Sequence, residues 1–268
     1  FLFGICNKTD TTHFLCHGNY VTCSLIKENS KMYQEVKYVS AEEALSVVQS
    51  HQRVFVHGSA CTPLHLLREL AKQKDRLRDV ELVFITVQGD IEVDKAEYKD
   101  SFHINSMFVS DSIRHAVAEG NADFIPVFLS DIPDLFKKEI LRLDVALIQV
   151  SPPDEHGYCS LGVSVDIARS AVAMAKHVIA QVNPQMPRTH GDGAVHTSRF
   201  THIVMHEEML PQVDYGAKTG PEEITIGKFV AELIEDGSTL QMGIGTIPDA
   251  VFKSLYNHKN LGVHNEMC

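Results

Sequence analysis

VELVFITV (residues 80–87) is an almost unbroken apolar run, rich in β-branched and aromatic side chains. It is too short for a buried helix and lacks the alternation of a strand with one wet face. A strand of this kind is covered on both faces, and such strands belong to parallel sheets sandwiched between helices.

The flanking sequence supplies those helices. Upstream, Ser40 is placed to cap a helix over Ala41–Gln49, and Val54–Val56 reads as a short strand. Gly58 then begins a turn, and Pro63 opens a helix LHLLRELAKQ (64–73). Downstream, strands are expected at His103–Val109, Phe124–Leu129, Val145–Val150, His177–Val182 and His202–Met205. Helical spacing fills Ser112–Glu119, closed by Gly120, then Ile132–Leu141 and Ile167–Lys176. Strands alternating with helices make βαβ units and a largely parallel α/β fold. The stretch 183–198 carries Pro184, Pro187, Gly191 and Gly193 and reads as irregular loop.

A second unit starts near Pro221, with a helix over Ile226–Glu235, Gly237 at its end and a strand at Thr239–Met242. A turn follows at Gly243-Ile244-Gly245, then a helix over Pro248–Tyr256 and a strand at Leu261–His264. A shift of 185 residues lays Gly58 on Gly243 and Pro63 on Pro248, with Leu66, Leu67 and Leu70 on Val251, Phe252 and Leu255. The expected fold is therefore two related open α/β domains with largely parallel sheets. The organisation is an irregular lead over 1–32, a first domain over 33–200 and the start of a second over 201–268.

Composition narrows the partners. A net charge of −11 argues against nucleic acid, which wants a basic stripe. No apolar run is long enough to span a bilayer, so no membrane partner is expected. The six cysteines form no CxxC pair and read as reduced thiols. His13, Cys16, His17 and Cys23 match no common zinc spacing, and the HxxxH pairs His13/His17 and His202/His206 do not sit on helices. No metal is expected.

Ligands of open parallel sheets bind beyond the carboxyl ends of the strands. Gly243, Ile244, Gly245, Thr246 and Pro248 stand at one such end, and Asn265 and Glu266 at another. Two glycines and a helix N-terminus suit a phosphate, a carboxylate or an oxyanion, and also suit a βα turn with no ligand. A dinucleotide fingerprint would carry a third glycine where Pro248 stands, although Glu266 lies 21 residues beyond Gly245, near the spacing of its acidic residue. A nucleotide-dependent dehydrogenase is thus a weaker alternative. In SPPDEHGYCSLG (151–162), Asp154, His156 and Gly157 form a stiff polar loop at a strand end, suited to lining a pocket. His156 reads either as a general base or as a side chain bonded to backbone.

Four collinear strings carry a specific resemblance: SPPDEHGYCSLGVSVD (151–166), AQVNPQMPRTHGDGAVHTSRF (180–200), LQMGIGTIPDAV (240–251) and LGVHNEM (261–267). With FVHGSACTPLHLLREL (55–70), they resemble the acetyl-CoA hydrolase/4-hydroxybutyrate CoA-transferase family of the class I CoA-transferases. The resemblance runs from about Tyr33 to the end. It implies two α/β domains and a ping-pong transfer of coenzyme A between carboxylic acids through a glutamyl thioester, with acyl-CoA hydrolysis when water intervenes. The family's Gly-[Ile/Val]-His-[Thr/Ser]-Glu-Met string falls on Gly262–Met267, which makes Glu266 the nucleophile and puts Asn265 in place of the usual Thr or Ser. The turn residues would border the acyl and CoA site. Implied partners are acyl-CoA and short carboxylic acids, with coenzyme A thioester as substrate and no tightly bound cofactor. A homodimer and a mitochondrial or cytoplasmic location follow from the family alone. Family members continue well beyond this point, so an incomplete second sheet and weak or absent activity are expected; the alternative is an inactive CoA-binding or regulatory fragment.

Overall fold

The computed structural model describes residues 36–212 and 219–265, together with the backbone of two short strands in the lead segment. These are β1 (His13–Cys16) and β2 (Asn19–Thr22), an antiparallel pair within the stretch expected to be irregular. The His13, Cys16, His17 and Cys23 side chains lie outside the described residues.

The chain divides into two units, Phe1–Pro211 and Gln212–Cys268. In the first, α1 (Ala41–Leu45) is capped by the Ser40 hydroxyl, which accepts the Glu43 N–H at 3.1 Å. There follow β3 (Arg53–Val56), α2 (Leu64–Ala71), β4 (Val80–Phe84), β5 (Phe102–Ser106), α3 (Arg114–Ala118), β6 (Ala122–Phe124) and α4 (Ile132–Lys137). The unit continues with β7 (Val145–Val150), β8 (Tyr158–Ser160), α5 (Ala168–Met174), β9 (His177–Val182), β10 (Ala194–His196) and β11 (His202–Met205).

Seven strands form one sheet in the order β11-β9-β7-β3-β4-β5-β6, and every neighbouring pair is parallel. Alternate side chains feed two cores. Val54, Val56, Leu82, Phe84, Val145 and Leu147 pack under α1, α2 and α3. Phe55, Val83, Ala146, Ile148 and Val150 pack under α4 and α5. This double cover explains why β4 and β7 read as continuous apolar runs.

Three expectations shift. The irregular stretch 183–198 contains β10, which pairs antiparallel with β8 in a separate two-stranded sheet. β11 is the edge strand of the first sheet, so the first unit runs to Pro211 rather than ending at 200. The strand expected over 124–129 ends at Phe124, because Pro126 cannot supply a ladder N–H.

The second unit holds α6 (Pro221–Glu232), β12 (Thr239–Leu240), α7 (Thr246–Ser254) and β13 (Gly262–Val263). β12 and β13 are parallel and packed on the two helices through Ala231, Val251 and Leu255. Helix, strand, turn, helix and parallel strand thus recur in α1-β3-α2-β4 and α6-β12-α7-β13, the echo that the 185-residue shift pointed to. Among the described residues no helix is long and apolar enough to cross a membrane.

Candidate functional site

In the first unit the strand order reverses between β3 and β7, and an open sheet would take a ligand at their carboxyl ends. Here that place is filled by the chain itself. His57, directly after β3, is fully buried. Its Nε2–H donates to the Ser164 carbonyl at 2.6 Å, and its Nδ1 accepts the Gln149 N–H at 3.3 Å. Both ring nitrogens are committed, and burial pushes the imidazole pKa below its ordinary value, so the ring is neutral. Ser164 Oγ donates to Asp166 at 2.8 Å, and Cys61 Sγ lies 3.9 Å from Met186 Sδ. Beside them, Gln149 Oε1 accepts from Gln181 at 2.8 Å and from Asn183 at 3.1 Å. None of these polar groups is legible in the sequence, because a buried His or Gln has no distinctive spacing.

The candidate pocket loop is a closed turn. Asp154 Oδ1 accepts the N–H of Tyr158 at 2.8 Å and of His156 at 2.9 Å, while Arg188 donates to Oδ2 at 2.5 Å. The Tyr158 N–H chiefly, then the His156 N–H and Arg188, hold the Asp154 carboxyl below the usual carboxylate range. His156 is exposed, its side chain 3.5 Å from Glu155. Gly157 adopts φ 80°, and a Cβ there would meet His196 Nε2 at 2.9 Å. Asp154 and the His156 N–H thus hold the turn, and Gly157 lets it lie against His196 of β10.

The second unit brings the glycine turn and Asn265 together. Because β12 and β13 are adjacent and parallel, their carboxyl ends leave the sheet side by side, with Thr239 opposite Gly262 and Leu240 opposite Val263. The His264 N–H continues the ladder to the Leu240 carbonyl at 2.9 Å. One residue on, the Asn265 side chain takes over: its Oδ1 accepts the Met242 N–H at 2.6 Å. This ties the peptide before Glu266 to the backbone that starts the glycine turn. Glu266 itself lies outside the described residues.

Gly245 adopts φ 131° and ψ −176°, a conformation that essentially only glycine takes, and open space lies where its Cβ would be. The turn lets α7 begin at Thr246, its first helical bond running from the Asp249 N–H to the Gly245 carbonyl at 3.2 Å. Helix-opening N–H groups have no intrahelical partner and carry partial positive charge, which Asp249 in the same turn partly offsets. Pro248 lies within the first turn of the helix, with its Cγ 3.7 Å from where a Gly243 Cβ would be. Ile244 is exposed at the tip. Asn265 Nδ2 is shielded from water and finds no hydrogen-bond partner among the described residues. Glycine backbone, helix N-terminus and amide form a donor-rich edge suited to an oxyanion, a carboxylate or a phosphate. Elsewhere in this unit a groove of about 440 Å³ runs between α6 and α7, with Lys228, Lys253 and Tyr256 on its walls.

Comparison with known proteins places this geometry in context. The profile described as the acetyl-CoA hydrolase/transferase N-terminal domain matches residues 24–214. The chain is 45% identical over 232 residues to a succinyl-CoA:acetate/propanoyl-CoA:succinate CoA transferase of Fasciola hepatica, covering 85% of this chain and 48% of that protein. It is 45% identical over 240 residues to a 4-hydroxybutyrate coenzyme A transferase of Clostridium kluyveri, covering 90% and 56%. Among solved structures, a 4-hydroxybutyrate CoA-transferase of Porphyromonas gingivalis superposes with a TM-score of 0.68 at 32% identity, covering 87% of this chain and 54% of that one. The chain spans about half the length of the curated relatives it matches.

Proposed function

The chain belongs to the acetyl-CoA hydrolase/transferase family, and from that premise we propose that it works in coenzyme A transfer between a short acyl-CoA and a carboxylic acid, with Glu266 as the nucleophile. The observation that carries this reading is the parallel β12–β13 pair, which sets the glycine turn and the peptide before Glu266 at one edge, joined by the Asn265–Met242 hydrogen bond.

The chemistry suits such an edge. A Glu266 carboxylate oxygen attacks the thioester carbonyl, and the tetrahedral intermediate expels CoA thiolate to leave a mixed anhydride. The thiolate attacks the glutamyl carbonyl, releasing the acyl group as a free carboxylate and leaving a glutamyl-CoA thioester. An acceptor carboxylate then runs the two steps in reverse and departs as its own CoA thioester. A carboxylate is a weak nucleophile, and positioning supplies what basicity does not. Each oxyanion needs N–H donors, and a two-glycine turn at a helix N-terminus offers them. Water entering in place of the acceptor acid turns transfer into hydrolysis.

Acetate, succinate and 4-hydroxybutyrate are the acid classes that the relatives' names suggest for the acceptor. A homodimer, and a mitochondrial rather than cytoplasmic site of action in a eukaryotic cell, rest on the family resemblance.

Mass spectrometry of the full chain mixed with acetyl-CoA tests the proposal. A CoA adduct on the peptide bearing Glu266, removed by hydroxylamine and absent from Glu266→Gln, is the expected result. An adduct, or transfer turnover, that survives Glu266→Gln overturns the assignment.

A further inference from the structure

We infer that Asn265 is a two-sided positioning residue, whose Oδ1 locks the end of β13 to the glycine turn and whose Nδ2 donates to an oxygen of the acyl group bound there. The inference rests on the acyl-transfer reading above and deepens it.

The orientation of the amide follows from its partner. A backbone N–H can only donate, so the atom 2.6 Å from Met242 N must be the acceptor Oδ1. The other end of the planar group is then Nδ2 with two donors, held next to the backbone that leads into Gly243. Water does not reach Nδ2, and no acceptor among the described residues takes its protons. A shielded donor left unpaired carries a desolvation cost, which an acceptor from a bound ligand would relieve. The chemistry of the completing group is an acceptor oxygen. A thioester carbonyl, a carboxylate and a developing oxyanion all offer one; an amine or an apolar ligand does not.

Residue choice supports the same division of labour. Leucine or valine would pack here without any polar cost but could not hold Met242. Aspartate could accept the Met242 N–H but would bring a negative charge to an edge proposed to take anions, and could not donate. A hydroxyl can accept and donate through one atom, so threonine performs both tasks over a shorter reach. Asparagine separates them onto two atoms.

The test combines a ligand titration of the unaltered full chain with two substitutions. With ¹⁵N-labelled protein and acetyl-CoA, the Asn265 side-chain NH₂ pair should shift together with the backbone N–H signals of Gly243 and Gly245. If the glycine signals shift and the Asn265 pair stays fixed at saturation, the inference falls while the acyl site stands. If none of the three moves, the site itself is misplaced and both fall. In turnover, Asn265→Asp should lose about 10²-fold in kcat with little change in KM, the size expected for one oxyanion donor. Its acid limb should move to higher pH, because the new carboxylate disfavours ionisation of Glu266. Asn265→Thr should recover most of that loss. Equal losses in Asp and Thr, with an unmoved pH profile, would reduce Asn265 to a purely structural clamp.

Discussion

His65 and His206 stack face to face, their ring centroids 3.7 Å apart and their planes 8° from parallel. His65 comes from α2 and His206 from the segment that leaves β11, and the same segment is held by an ion pair in which Arg68 Nη2 donates to both carboxylate oxygens of Glu208, at 2.8 and 2.9 Å. Burial, then the charge of His206, pushes the His65 pKa below 6.5, with Glu69 and Glu208 opposing and Arg68 adding to the shift.

A pH dependence follows. Below 6.5 the unfolded chain binds a proton at His65 more readily than the folded one. The stacked pair therefore contributes fully above that pH, and its contribution falls as pH drops toward the lowered folded value. His65→Phe keeps a stacking face without the titration. Urea unfolding at pH 7.5 and pH 5.5 should show a smaller difference for His65→Phe than for the unaltered protein; an unchanged difference would refute the coupling.

Asn183 should be among the least replaceable polar residues of the first unit. It is fully buried. Its Nδ2 donates to Gln149 Oε1 at 3.1 Å and to the Glu208 carbonyl at 2.7 Å, while its Oδ1 accepts the N–H of Gln185 at 3.0 Å and of Glu208 at 3.2 Å. Asn183→Ala strands buried donors and acceptors and should cost about 1–3 kcal/mol. Chemical denaturation monitored on a first-unit probe measures it, and a change within 0.5 kcal/mol of zero, about the spread of ordinary surface substitutions, would contradict the account.

Gly245→Ala isolates backbone conformation from crowding. Nothing lies where the Cβ would go, so the penalty comes from φ 131° alone. About 1–3 kcal/mol of strain is expected, or else a re-formed turn. Hydrogen exchange at the α7 amides should quicken, while exchange in β7 and β9 of the other unit stays unchanged.

The thiols of Cys61 and Cys159 should be inert. Both are buried, and desolvation pushes each pKa up to about 12. At pH 8 almost none is thiolate, and thiolate is the reactive form. Alkylation followed by peptide mapping should leave both unmodified in the native protein and modify both in denaturant. Fast native labelling of either would show that its cover opens readily.

Much of the architecture was legible in the sequence. The parallel sheet announced itself through runs such as VELVF and VALIQV, because strands covered on both faces need apolar side chains on both. The glycine and proline punctuation at Gly58/Pro63 and Gly243/Pro248 marked the two related turns. Element ends were less legible: α6 begins at Pro221 and not at Ile226, since its first turn is acidic and exposed and shows no apolar periodicity. The pairing of β8 with β10 was hidden, as a three-residue antiparallel pair leaves too short a pattern to read. At the site, the turn and Asn265 were legible as types at strand ends, but the Met242–Asn265 bond depends on strand adjacency, which no local spacing encodes. Asp154 illustrates the converse: its place at a strand end was legible, but the partners of its two oxygens, the Tyr158 and His156 N–H groups and the Arg188 side chain, were not.

The central position of β3 bears on how the protein emerges from the ribosome. One flank of β3 pairs with β4 soon after synthesis, but the other pairs with β7, Phe55 lying opposite Ala146. Until β7 has been made, the central strand of the sheet presents an open, apolar, hydrogen-bonding edge. Loop closure over such a span is slow, and nascent chains in this state are prone to wrong pairing. Expression yield should therefore respond more to chaperone supply and translation rate over residues 57–145 than to the final stability of the sheet.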